Sequence, residues 1–154
     1  MEIAFICERT ARIDGSILEN VVVNCNNYDE SRLIKCVEIA SIRREIESLP
    51  KSYDTILSHS NMCLSKGQIQ RILIARAIYK DADIYLFDEI INCLGEQMGN
   101  DIIEKIDLFL KEKTRIYTTH RHQILKNSDY IYYLQDGYVS DLGTYEELHK
   151  RSRL

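Results

Sequence analysis

Two short stretches carry the residues able to do chemistry. Leu64-Ser65-Lys66-Gly67-Gln68 is a small, phosphate-friendly loop that opens a helical pattern. Further on, Ile84-Tyr85-Leu86-Phe87-Asp88-Glu89 is an apolar strand that delivers two carboxylates at its end. Reactions at a nucleotide phosphate need a carboxylate to hold Mg²⁺ through water. They also need a base or orienter for the attacking water and a polar sensor for the γ-phosphate. Asp88, Glu89 and His120 suit those roles in that order, and Glu8 follows the first strand. No G-x-x-x-x-G-K-S/T loop occurs in the chain. Each residue also has a plainer reading. Asp88-Glu89 could be an acidic pair favoured by a helix dipole, Ser65 an ordinary N-cap, and His120 a satisfied structural histidine. His122 and His149 read as surface residues.

The elements that must position these groups follow from periodicity. Residues 3–6 form a short apolar strand directly behind the first methionine, which predicts that the chain opens inside a fold. Asn26, Asn27 and Asp29 can cap a helix running to about Ser41, with Leu33, Ile34, Val37 and Ile39 on its apolar face. A short helix over 42–49 stops at Pro50, and 51–63 read as a loop. Ser65 caps a helix through Tyr79 that is apolar around most of its girth, hence deeply buried. The continuous apolar run Ile84–Asp88 predicts a parallel strand covered on both faces. A helix over 96–110 turns Ile102, Ile103, Ile106, Leu108 and Phe109 inward. A strand over 115–119, a short helix over 123–125, strands over 130–134 and 138–141, and a final helix Tyr145–Lys150 capped at Gly143-Thr144 complete the pattern. The tyrosines at 130, 132, 133, 138 and 145 read as packing in the sheet and hairpin. Strands alternating with helices imply an α/β layer fold with a mostly parallel sheet, and ligands in such sheets gather at the carboxyl ends of strands.

Composition narrows the classes. A chain of 154 residues supports one domain. A net charge of −4 gives no electrostatic reason to bind nucleic acid or an anionic membrane. The five cysteines are scattered and never spaced C-x-x-C, which argues against a disulfide framework or zinc site and for a reducing cytosol. Apolar runs reach only about six residues, against about 20 for a bilayer span, so direct membrane insertion is not expected. No basic-then-apolar leader opens the chain, so secretion is not expected either.

The ordered motifs resemble the nucleotide-binding domain of ATP-binding cassette (ABC) transporters, most closely the exporters of bacterial peptides. Leu64-Ser65-Lys66-Gly67-Gln68 is similar to the signature LSGGQ, followed by its helix with Gln70-Arg71 and Ala75-Arg76-Ala77. Ile84–Glu89 resembles the Walker B strand with its catalytic glutamate, and His120 within Thr119-His120-Arg121 the switch histidine. Asp136-Gly137 with Gly143-Thr144-Tyr145-Glu146-Glu147-Leu148 resembles the closing hairpin and helix. Gly15-Ser16-Ile17 with Glu19-Asn20 resembles the segment after the Q-loop, and Leu49-Pro50 to Tyr53-Asp54-Thr55 the approach to the signature.

The resemblance implies an incomplete P-loop NTPase core (about 1–17 and 79–154) with a mostly parallel sheet, plus an α-helical signature subdomain (about 18–78). It implies ATP and Mg²⁺ as cofactors, with Asp88 and Glu8 at the metal and Glu89 and His120 as catalytic residues. Ser65, Lys66, Gly67 and Gln68 would lie at the phosphates held by a second nucleotide-binding domain in a head-to-tail dimer. A transmembrane exporter domain is the other implied partner. The location would then be cytoplasmic, peripheral on the inner face of the membrane.

The sequence departs from the family at defined points. The Walker A loop and the adenine-stacking aromatic, which precede the Q-loop, have no counterpart here. In the family the Walker A strand lies, by analogy, between the strands at 115–119 and 130–134. Its loss predicts unpaired inner edges, an apolar groove and poor stability in isolation. The Q-loop glutamine reads Glu8 and the first signature glycine reads Lys66. The run after the catalytic glutamate, usually Ala-Thr-Ser-Ala-Leu-Asp, reads Ile90-Ile91-Asn92-Cys93-Leu94-Gly95, and His59 and Asn61 replace a Glu and a Gly ahead of the signature. The expectation is an exporter ATPase domain, N-terminally truncated and inactive alone. The alternatives are a non-catalytic regulatory module, or a split-gene half that assembles with a Walker A-bearing chain.

Overall fold

A computed structural model describes residues 1–7, 10–23, 27–58 and 64–154. Glu8, Asn26, His59 and Asn61, to which the sequence assigns roles, lie outside the described residues. The chain divides into two compact units, Met1–Thr118 and Thr119–Leu154.

The first unit is built on three parallel strands, β1 (Ile3–Cys7), β4 (Ile84–Asp88) and β5 (Thr114–Thr118), in the order β1-β4-β5. A two-residue strand β2 (Gly15–Ser16) pairs antiparallel with β3 (Ile56–Leu57). Between them run helices α1 (Ile17–Val22), α2 (Glu30–Ile39) and α3 (Arg43–Ser48), with a 3₁₀ turn at Ser52–Asp54. Helix α4 (Lys66–Tyr79) leads into β4, and α5 (Glu96–Phe109) joins β4 to β5.

Local chemistry sets these boundaries. Asp29 caps α2 by accepting from the Arg32 amide, so Asp29 rather than an asparagine starts that helix. Helix α1 was not legible from periodicity because it is only six residues long. Its start is written in a capping box: Ser16 Oγ accepts from the Glu19 amide, and the Glu19 carboxylate accepts from the Ser16 amide at 2.6 Å. The Ser16 amide, and then the Ser16 hydroxyl donating to Oε2 at 2.9 Å, hold the Glu19 carboxyl below the usual carboxylate range. The stretch expected to be a loop from residue 51 instead carries the 3₁₀ turn and β3, which exist because β2 supplies a pairing partner.

Helix α4 is the hub of this unit. Ile72, Leu73, Ile74, Ala75, Ala77 and Ile78 are buried, and so are two polar residues, Gln70 and Arg71. Its arginines bind backbone carbonyls of the elements around it. Arg76 donates to the carbonyls of Asn20 and Ala11, and Arg71 donates to Ser41 O and pairs with Glu45 at 2.7 Å. From α2, Arg32 donates to Tyr79 O at 2.9 Å and Ile78 O at 3.1 Å, satisfying carbonyls that the end of α4 leaves open.

The sheet has one covered face and one open face. Register places Ala4, Tyr85 and Arg115 side by side, then Ile6, Phe87 and Tyr117. On that face Tyr85 and Phe87 stack at 5.8 Å and Phe87 and Tyr117 at 5.0 Å. Burying aromatics of this size contributes about 1.5–3 kcal/mol each. From α5, Asp107 accepts from Tyr117 Oη at 2.8 Å and Arg115 Nε at 2.9 Å, which puts α5 on this face. The strand order runs one way from β1 to β5, and right-handed crossovers in one direction place their helices on a single face. The opposite face carries Ile3, Ile84 and Thr114, then Phe5, Leu86 and Ile116, of which Ile3, Phe5 and Ile116 are 44%, 58% and 51% exposed. Coverage of β4 on both faces is therefore corrected. Leu108 also faces outward, at 74% exposure, because the α5 stripe is narrower than its sequence suggests.

The second unit comprises α6 (His122–Lys126), an antiparallel hairpin of β6 (Ile131–Gln135) and β7 (Tyr138–Gly143), and α7 (Tyr145–Lys150). The hairpin turns at Asp136-Gly137, both with positive φ. Thr144 and Glu147 form the capping box of α7. Tyr130, Tyr132 and Tyr138 are exposed rather than packed, though Tyr130 and Tyr132 meet edge to face at 5.6 Å. Among the described residues, β5 pairs only with β4 and β6 only with β7.

Cys36 on α2 is wholly buried, and desolvation pushes its thiol up to about 12. In the native chain Cys36 should therefore resist alkylation at neutral pH, while the half-buried Cys7 and Cys93 react faster than it does. Peptide mapping after timed alkylation checks this; labelling of Cys36 as fast as Cys7 would contradict the packing of α2.

Candidate functional site

The site forms where β4 ends. Asp88 is the last residue of β4, in register with Cys7 and Thr118. Thr118 Oγ1 donates to Asp88 Oδ1. Glu89, one residue on, adopts a left-handed backbone with φ 50°. Non-glycine residues hold that conformation at a cost of order 1 kcal/mol or more, and only where neighbours impose it. Here the Glu89 amide donates to Thr118 O at 3.2 Å, and the Asn92 amide donates back to Glu89 O at 3.2 Å. The turn that follows is anchored by buried Ile90, Ile91 and Leu94. Asp88 is half-buried and Glu89 exposed, so the first carboxylate is fixed by the sheet and the second reaches solvent.

The start of α4 is attached to this turn. Ser65 Oγ accepts from the Gln68 amide at 3.2 Å, and Gln68 Oε1 accepts from the Ser65 amide at 2.8 Å. Gly67 packs against the turn so closely that a Cβ would stand 3.4 Å from Cys93 O and 3.4 Å from Leu94 Cδ2. One turn further along, Gln70 Nε2 donates to Ile90 O at 3.1 Å in a buried hydrogen bond. Signature helix and carboxylate turn are therefore one piece of structure, with Ser65 and Lys66 exposed at its surface.

The residues expected to act fall into three groups. Asp88 and Glu89 are brought together with Thr118, and Ser65, Lys66, Gly67 and Gln68 open the helix fixed to the same turn. His120 is exposed and belongs to the second unit, where Thr119 Oγ1 accepts from the Arg121 amide at 3.0 Å. Glu8 lies outside the described residues. Sequence reasoning missed Thr118, Gln70 and Asn92 as supporting residues. Gln70 alone gave a signal, as an amide inside a run of apolar helix positions.

Among the described residues no group of three His, Cys, Asp or Glu side chains could hold a metal. The donor chemistry still fits Mg²⁺, which commonly takes one or two carboxylates and fills its remaining positions with water and phosphate oxygens. Asp88, whose Oδ1 accepts from Thr118 Oγ1, would supply one such carboxylate. Among the described residues no helix is long and apolar enough to cross a membrane.

With this geometry in view, comparison with known proteins identifies the class. The family model for ABC transporters matches residues 5–92, more than half of the chain, and the chain belongs to that family. It is 33% identical over 151 residues to an ABC transporter C family member 6 of Arabidopsis thaliana, covering 93% of this chain and 10% of that protein. It is 32% identical over 151 residues to an ATP-dependent lipid A-core flippase of a Polaromonas species, covering 98% of this chain and 26% of the flippase. Its structure resembles a bacterial Atm1-family ABC exporter with ATP bound, with a TM-score of 0.87, 26% identity, and coverage of 97% of this chain and 26% of the exporter. The fold is thus a P-loop NTPase-like α/β domain of the kind found in ABC exporters. The chain spans between a tenth and about a quarter of the length of these relatives.

Ser65→Ala removes the cap of α4 and should cost about 1 kcal/mol. Urea or thermal unfolding of the variant checks this; an unchanged midpoint would mean that the Ser65–Gln68 box does not form in solution.

Proposed function

We propose that the chain is the carboxylate- and signature-bearing portion of an ABC exporter ATPase domain, of the bacterial peptide-exporter type. The observation that carries this reading is the Asp88–Glu89 pair: one carboxylate tied to the sheet by Thr118, the next held out to solvent by a constrained backbone. Hydrolysis requires a water oxygen to bond the γ-phosphorus while the bond from that phosphorus to the bridging oxygen breaks. Glu89 polarises that water and takes up its proton. Asp88 would hold Mg²⁺, which when bound would supply charge neutralisation at the phosphates. His120 contacts the γ-phosphate, and Glu8 stands at the position of the Q-loop glutamine. Ser65, Lys66, Gly67 and Gln68 complete the nucleotide site of a second nucleotide-binding domain, head to tail. A transmembrane exporter domain is the mechanical partner and holds the chain at the inner face of the membrane.

The open sheet face and the edge of β5, which among the described residues pairs with no strand but β4, support assembly with a segment that brings the Walker A loop. A strand added at the free edge of β5, followed by a helix returning toward β1, reverses the direction of strand order. A right-handed crossover then lays that helix on the open face, over Ile3, Phe5, Leu86 and Ile116.

On this reading the chain alone turns over negligible ATP. Adding a Walker A-bearing segment restores turnover, and Glu89→Gln lowers the restored rate by roughly 10²-fold or more. A phosphate-release assay on the chain with and without that segment decides. Turnover by the chain alone that vanishes in Glu89→Gln would remove the need for a second segment.

Phe5→Asp probes the open face separately. As an exposed substitution it should change the chain's own stability by no more than about 0.5 kcal/mol, yet prevent assembly. Size-exclusion of the mixture checks this, and undiminished assembly would show that the face is not the contact.

A further inference from the structure

The turn after Glu89 carries a side-chain contact back to that carboxylate. We propose that Asn92 is a positioning residue for the Glu89 carboxylate, fixing Oε2 so that Oε1 is the oxygen offered to water. Asn92 Nδ2 donates to Glu89 Oε2 at 2.9 Å. The contact is made on a backbone with little freedom of its own. On one side the Glu89 amide is bound by Thr118 O across the sheet. On the other, Ile90 O is bound by buried Gln70, and Ile90 and Ile91 are each only 2% exposed. What remains to be fixed at Glu89 is its side chain, which has three torsions and is exposed. Asn92 removes that freedom at the point where direction matters.

The chemistry of an asparagine suits the task. Its amide donates without charge and has no proton to exchange with the carboxylate under ordinary conditions. A carboxylate has two oxygens and about four lone-pair directions, so a donor on Oε2 leaves Oε1 free to accept from water. An exposed amide–carboxylate hydrogen bond contributes little to folding. Its consequence is orientation, and small misplacements of a catalytic group cost rate steeply. A serine here would have a shorter side chain and a hydroxyl that can turn either way. Asn92 is longer, and its amide hydrogens lie in a fixed plane.

The proposal rests on Glu89 acting as the hydrolytic carboxylate, and two measurements keep the two claims apart. In ¹⁵N–¹H spectra of the whole chain, the side-chain amide pair of Asn92 is identified by its loss in Asn92→Ser. In Glu89→Ala that pair should move toward the position of solvent-exposed asparagines and exchange faster with water. An Asn92 amide pair indifferent to Glu89→Ala overturns the proposal. In the assembly reconstituted with a Walker A-bearing segment, Asn92→Ala should lower kcat roughly 10- to 100-fold with KM for ATP little changed. Asn92→Asp, which sets a like charge beside Glu89, should lower it further. Unchanged kcat in Asn92→Ala, where Glu89→Gln is inactive, overturns the positioning role and leaves Glu89 catalytic. Turnover that survives Glu89→Gln removes the catalytic role of Glu89, and the positioning claim falls with it.

Discussion

The register of β4 between β1 and β5 is the constraint from which the site follows. β4 is the strand with a parallel neighbour on each side, and its last residue is Asp88. A shift by one residue would exchange the two faces of the strand, burying Leu86 in place of Phe87 and turning Asp88 away from Thr118. The aromatic row of Tyr85, Phe87 and Tyr117 opposes such a shift, because the rings stack on one another and Tyr85 and Phe87 are fully buried. Chemistry at the carboxyl end is therefore specified by packing on the covered face. The Thr118 hydroxyl and carbonyl then deal separately with the two acids, one binding the Asp88 carboxylate and the other the Glu89 amide.

Helix α4 connects this strand end to the rest of the first unit. Burying a helix around most of its circumference leaves its polar residues no water to bind, so they must find partners in the protein. Gln70 finds Ile90 O, Arg71 finds Ser41 O and Glu45, and Arg76 finds Asn20 and Ala11. Each partner belongs to a different segment. A helix that looks like core filling is thus also the piece that couples the signature, the carboxylate turn and α1. The start of α4 at Ser65 and the turn beside Glu89 are thereby tied together without a mobile intermediary.

The uncovered face of the sheet is the counterpart of this arrangement. A parallel sheet with strand order in one direction receives helices on one side only, and Ile3, Phe5 and Ile116 stay in contact with solvent. The helices of the first unit cannot repair this, because their connections already commit them to the other side.

Much of the fold was legible in the residues. Ser65 and Thr144 announce helices α4 and α7 through side chains that satisfy amides three residues on, a local effect that needs no tertiary context. The apolar run Ile84–Asp88 announced a parallel strand, and the order of motifs announced the family. Other features were not legible. Helix α1 is too short for periodicity, and β3 forms only against β2. The open face could not be read from β4 itself, since an apolar strand has the same composition whether one or both sides are covered. Leu108 matched a helical stripe and yet faces solvent.

For the site the division is similar. Sequence by itself determined which groups are present: two adjacent acids at a strand end, a capped small-residue loop, and a histidine behind the next strand. Tertiary structure decided their setting, namely that Thr118 rather than a neighbour in sequence holds Asp88, that Gln70 reaches across to Ile90, and that Glu89 sits on a left-handed backbone. The physical reason is range. Capping and strand propensity act over three or four residues, whereas cross-strand register, burial and the closing of a buried amide depend on segments that meet only when the chain has folded.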